Sequence, residues 1–150
     1  MIVKLEHKKT NTDIEISIIY PEKNKTVDSI VSFINSLDKK IEGYIDDIVK
    51  QINITDIYYI ESDEKTTNVY CEKENYKTKY RLYQLNERFK GLGFVQVSKY
   101  CLLNINRIDC IKQLTNRRME AILTNGKNVF VTRKYLYDIK RALQEKLDDR

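Results

Sequence analysis

Residues 93–108, GFVQVSKYCLLNINRI, place a lysine between two apolar runs. Val95 and Val97 precede it, Leu102, Leu103 and Ile105 follow, and Ser98, Lys99 and Tyr100 interrupt them. A lysine ammonium is a point charge suited to a phosphate or a guanine acceptor. Tyr100 can cover the lysine stem or complete the core. A second basic group, Arg133 and Lys134 followed by Tyr135, stands directly before a helical pattern. There Thr132 or backbone N–H groups can hold a phosphate. The planar fork of Arg133 can bond guanine O6 and N7 together, with Lys134 on the nucleic-acid backbone. Arg117 and Arg118, in the connection LTNRRME, can reach phosphate or remain solvated turn residues.

Other chemistry has little support. The three cysteines, Cys71, Cys101 and Cys110, form no CxxC pair, and the one histidine, His7, is remote from them. They read as small semi-buried hydrophobes in a reducing compartment, with no metal and no cofactor expected. There is no nucleophile elbow and no glycine-rich phosphate loop, and Asp46-Asp47 lies in a short connection, so no catalytic residue is assigned. Eleven tyrosines invite a base-stacking reading, yet their placement in alternating segments favours half-buried sheet positions.

The elements that position these groups follow from periodicity. MIVKLEHK and DIEISIIY alternate at period two and predict two strands, with Ile14, Ile16 and Ile18 on one face and Pro21 closing the second. Val27, Ile30, Val31, Ile34, Leu37 and Ile41 recur at helical intervals, predicting a helix capped by Asn24 or Thr26 and ended by Gly43. Residues 45–60 read as strand-like runs separated by NITD, and NVYCEKENYKTKY alternates again. Leu82, Leu85 and Phe89 share the face of a short helix that Gly91 and Gly93 stop. Four strand candidates follow: FVQVSKYCLLN, RIDCIKQL, RMEAILTNG and KNVFVT, the last two joined by an Asn-Gly hairpin turn. Leu136, Ile139, Leu143 and Leu147 then form the core-packing stripe of a final helix. The fold class is α+β, mainly β, divided into a ββα unit over 1–44 and a larger unit over 45–150.

Charge separates these parts too. Residues 1–50 hold eight lysines and no arginine against nine carboxylates, whereas the remaining 100 hold 19 basic and 13 acidic side chains. The overall charge of +5 thus belongs to the C-terminal two-thirds, which suits a polyanionic partner. With 41% hydrophobic and 33% charged residues the chain should fold. It has no membrane-span-length apolar run and no secretory leader pattern, and is expected to be soluble and cytoplasmic.

The order of DIYYIES, NVYCE and LYQLNERF resembles the LytTR DNA-binding domain of bacterial response regulators, as do three further motifs. These are the F-x-x-V-S-K-x-x-L-x-N-x-x-x-I block (Phe94, Val97, Ser98, Lys99, Leu102, Asn104, Ile108), L-x-N-G (Leu123, Asn125, Gly126) and V-T-R-K-Y from Val131 to Tyr135. The resemblance covers about residues 48–147. It implies elongated, stacked sheets whose loops, rather than a recognition helix, enter successive major grooves of a paired-repeat operator. Carried over by position, the DNA-binding residues would be Lys65 and Thr66, then Ser98 and Lys99, then Arg133, Lys134 and Tyr135. Thr132 stands where the family usually has serine, which keeps the hydroxyl. Asn104 is read as structural, bonding backbone at a strand end.

The expectation is a sequence-specific regulator binding double-stranded DNA, not an enzyme, with no small-molecule substrate. The first 50 residues are too few for a receiver domain, so it reads as a stand-alone regulator. The N-terminal unit would serve dimerisation or sensing, with a homodimer favoured because paired half-sites multiply affinity. The residues identify no membrane-protein or other regulatory partner. Two rival readings are a protein-interaction module of the same fold and a single-stranded RNA binder stacking bases on Tyr70 or Tyr80.

Overall fold

The computed structural model describes the backbone of residues 1–148 and the side chains of residues 1–143. Among the described residues, ten strands and three α-helices bear out the α+β, mainly β class. Asn24 caps α1 (Lys25–Ser36) by accepting from the Val27 N–H through Oδ1 at 3.0 Å. The strands that follow are β1 (Lys40–Ile45), β2 (Ile48–Asn53), β3 (Ile57–Ser62), β4 (Thr67–Cys71) and β5 (Asn75–Thr78). After α2 (Leu82–Arg88) come β6 (Phe94–Ser98), β7 (Cys101–Asn104), β8 (Ile108–Gln113), β9 (Met119–Leu123), β10 (Asn128–Val131) and α3 (Leu136–Asp148). A seven-stranded sheet runs β2-β1-β5-β4-β3-β7-β6, and a three-stranded one β10-β9-β8; the pairings are antiparallel.

Several expectations change. Residues 1–24 form no strand, and Ile14 and Ile16 are exposed. Period-two alternation makes a strand only where a ladder partner and a covered face exist, and this segment has neither within its own chain. The helix stops at Ser36, and Ile41 and Gly43 belong to β1, so the expected ββα unit is replaced by a helix that feeds a strand of the main sheet. Gly43 is no helix cap. It sits where an added Cβ would meet Tyr76 Cβ at 3.1 Å and the Lys77 carbonyl at 3.3 Å, a close approach that favours glycine. The division expected at 44/45 falls inside β1, which pairs with both β2 and β5. NVYCEKENYKTKY is a hairpin, and FVQVSKYCLLN is two strands with Lys99-Tyr100 as their turn.

The large sheet has cover on both faces over β3 and β7. On one side Leu82 and Leu85 of α2, with Phe89 just after it, pack with Ile57, Ile60, Val69 and Leu102. On the other Tyr58, Cys101 and Leu103 pack with Met119, Ala121, Leu123 and Val129 of the small sheet and Ile139 of α3. Every residue of β7 is therefore buried, which explains the unbroken run CLLN. Leu136 and Leu143 join this second cluster, whereas the Leu147 side chain lies outside the described residues. Burial pushes the Cys101 thiol up to about 12 and the Cys71 thiol to about 11, so both are held neutral. Cys110 is exposed on β8 rather than semi-buried, because β8 is an edge strand.

Asn104 closes the end of β7. Its Nδ2 donates to the Ile57 carbonyl at 2.8 Å, and its Oδ1 accepts from the Asn106 N–H at 3.1 Å, as the structural reading of this residue required. Asn104→Ala leaves the buried Ile57 carbonyl without that donor and should cost about 2–3 kcal/mol in a urea unfolding curve. A loss below about 0.5 kcal/mol would mean that water replaces the amide.

Candidate nucleic-acid interface

The basic turns singled out in the sequence are joined by backbone hydrogen bonds. The β3–β4 loop meets the β6–β7 turn where the Ser62 N–H donates to the Tyr100 carbonyl at 2.8 Å. The Thr132 N–H donates to the Val97 carbonyl at 2.9 Å, which places the turn before α3 beside Ser98. Arg133 then reaches the β8–β9 turn, its Nε donating to the Asn116 carbonyl at 2.9 Å. Lys65, Lys99, Arg117, Arg118, Arg133 and Lys134 thus stand on four turns bonded in series, and all six are exposed.

Each turn has a local cause. In the first, Asp63 Oδ1 accepts from the Lys65 N–H at 2.8 Å and the Thr66 N–H at 2.7 Å, while Oδ2 accepts from the Thr66 hydroxyl at 2.9 Å. The loop is thereby closed on its own carboxylate. Thr66 spends its hydroxyl proton inside the loop, which leaves Lys65 as the group offered to a ligand. The second turn follows an irregularity between Gln96 and Ser98 in the β6–β7 ladder. Ser98 Oγ accepts from the Tyr100 N–H at 3.4 Å, and Lys99 Nζ lies 5.4 Å from the centre of the Tyr100 ring. That exposed ring covers the lysine rather than completing the core.

The third turn holds Asn116 and Arg117 at φ 59° and 58°. Left-handed backbone is favourable for asparagine and costly for arginine, so the hairpin spends conformational energy to display Arg117. The fourth is a 3₁₀ turn, Arg133–Tyr135, closed by the Tyr135 N–H to the Thr132 carbonyl at 3.0 Å. Lys134 Nζ lies 5.7 Å from the centre of the Tyr135 ring. Arginine carries five donors, so the single bond to Asn116 orients Arg133 and leaves four for a ligand.

Sequence reasoning missed Arg81. It stands immediately before α2, and its Nη1 donates to the Glu64 carbonyl at 3.4 Å, which adds a seventh basic side chain to this edge. The only signal in the sequence was a charge at a helix start. Tyr70 stacks on Tyr59 with ring centres 4.4 Å apart, and Tyr80 lies under Arg88 at 4.9 Å, so both rings already have partners.

The N–H groups of Thr66 and Lys65, with the Thr66 hydroxyl, hold the Asp63 carboxyl below its ordinary value of 3.8. A lowered folded pKa means that the carboxylate's contribution is fully present above the ordinary carboxylate range and is lost as pH falls through the folded value. The Lys65 and Thr66 amide resonances should therefore stay fixed from neutral pH downward and shift with a midpoint below 3.8. A midpoint at or above that value would show that the loop is not closed on Asp63.

Known proteins resemble this chain in sequence and in fold. A Staphylococcus aureus protein described as an uncharacterized HTH-type transcriptional regulator (strain NCTC 8325 / PS 47) is 29% identical over 134 residues, covering 88% of this chain and 90% of its own. Its counterpart in strain MRSA252 is 28% identical over the same span. The fold superposes on a LytTr DNA-binding domain from Bacillus cereus with a TM-score of 0.67 and 21% identity, covering 71% of this chain and 97% of that one. Residues 47–144 match the family model of the LytTr DNA-binding domain, and the chain belongs to that family.

Proposed function

We propose that the chain is a sequence-specific transcriptional regulator that binds double-stranded DNA through the edge formed by its four basic turns. The observation that carries this reading is the series of backbone hydrogen bonds Ser62–Tyr100 and Thr132–Val97, extended by Arg133 to Asn116. Turns bonded in series present their charges as one surface. Such a surface meets a duplex without paying for ordering each loop on contact. Among the described residues, no two consecutive helices are joined by a short turn, which favours loops over a recognition helix as the elements entering successive major grooves. The Staphylococcus aureus relatives carry the name transcriptional regulator, which supports the same assignment.

Roles divide by chemistry. Arg133, oriented through Nε, reads a base edge with its remaining donors, and Lys99 and Lys134 neutralise phosphates. Lys65 contacts the backbone from the first loop, with Thr66, Ser98 and Tyr135 supporting their neighbours. Arg117 and Arg118 extend the phosphate track. The operator is a paired repeat bound by a homodimer, because one module of this size offers few contacts. The protein works in the cytoplasm; among the described residues no helix is long and apolar enough to cross a membrane.

Selection from a random duplex pool, followed by binding curves at several salt concentrations, tests this. An enriched paired motif is expected. Arg133→Ala should cost about 1–3 kcal/mol and relax preference at one base position, whereas Lys134→Ala should weaken all sequences alike and reduce the salt slope by about 1. No enrichment, with weak binding unchanged in both variants, would overturn the proposal and favour a protein-interaction module.

A further inference from the structure

The N-terminal segment and one sheet edge are each incomplete in the single chain. Residues 13–20, DIEISIIY, alternate apolar and polar as a strand would, yet Ile14 is 91% and Ile16 54% exposed. β2 ends the seven-stranded sheet, and its Ile48 and Val49 are 68% and 62% exposed. An edge with uncovered apolar side chains and a free row of backbone groups is a template for another strand. The charges of the two are complementary. Residues 13–20 carry Asp13 and Glu15 and no cation, whereas β2 carries Lys50 and no carboxylate.

We propose that residues 13–20 of one copy add as a strand to β2 of a second copy, giving a reciprocal dimer. This deepens the homodimer reading above and rests on it. The course of α1 favours the second copy over the same chain. The end of α1 sits beside the end of β2, where the Ile54 N–H donates to the Lys39 carbonyl at 3.1 Å. Its earlier turns lie over the opposite edge, where Ser32 hydrogen-bonds the Gly91 carbonyl and α1 meets α3. Twelve helical residues carry the root of the arm about 18 Å from the end of β2. From there residues 13–20 of the same chain do not return to β2: they form no strand and pair with none of its residues. A two-fold arrangement satisfies both edges at once and closes the assembly.

The pairing also leaves the basic edge open. Lys50 lies 3.9 Å from Glu74, in the β4–β5 turn, at the opposite end of the sheet from the loop that carries Lys65.

Sedimentation equilibrium of the full chain, wild type beside Val49→Lys and Ile16→Lys, tests the pairing, with both substitutions at exposed positions. The wild type should sediment at twice 17.9 kDa and each variant at the single-chain mass. Amine cross-linking of mixed ¹⁴N and ¹⁵N wild-type protein should join Lys50 to Lys9 or Lys23 in hybrid-labelled pairs. A monomeric wild type, a dimer untouched by both substitutions, or links confined to one isotope would each overturn the proposal. Duplex binding is read in the same samples. A dimer of this kind that binds no DNA overturns the regulator reading and leaves the pairing standing, and a monomeric wild type that binds DNA does the reverse.

Discussion

The fold depends on β7, four residues covered on both faces. Cys101 and Leu103 face the small sheet while Leu102 faces α2, and burying leucines of this kind contributes about 1.5–3 kcal/mol each. A strand so placed has little freedom of register, because a slip of one residue would exchange its two faces. Asn104 then fixes its end with an amide that bonds across to β3 and forward to Asn106. Since β7 pairs with both β3 and β6, its register sets where the β3–β4 loop and the β6–β7 turn fall relative to each other.

The basic edge inherits its order from that core. Val97, fully buried, turns its carbonyl to the Thr132 N–H, so the strand that packs inside also holds the turn that leads into α3. Ile139 anchors α3 in the same cluster. The route from packing to the basic edge is therefore short: two side-chain clusters fix three neighbouring strands, those strands fix their turns, and the turns carry the charges. Loops held this way resemble the rigid elements on which binding sites are most often built.

Much of this was legible in the sequence where the signal is local. Asn24 marks a helix start and Asn125-Gly126 marks a hairpin, whereas Ser98, Lys99 and Tyr100 read only as a polar interruption of one strand. Asn104 was legible because an amide inside an apolar run needs backbone partners. What escaped depends on distant neighbours. Gly43 mimics a helix stop until Tyr76 and Lys77 are seen beside it. Ile14, Ile16 and Ile18 carry a strand's alternation but no partner within the chain. Arg81 joins the basic edge only through the Glu64 carbonyl, 17 residues away. Two of the bonds that unite the turns, Ser62 to Tyr100 and Thr132 to Val97, are between backbone atoms far apart in sequence, and no side-chain pattern records them.

The most direct test of a single interface built from four turns is an NMR titration of the ¹⁵N-labelled chain with its selected duplex. The account predicts that amides at Lys65, Lys99, Arg117 and Arg133 shift together along one binding curve, while those of β2 stay in place. Shifts centred on β2, or turns that respond separately with different midpoints, would contradict it.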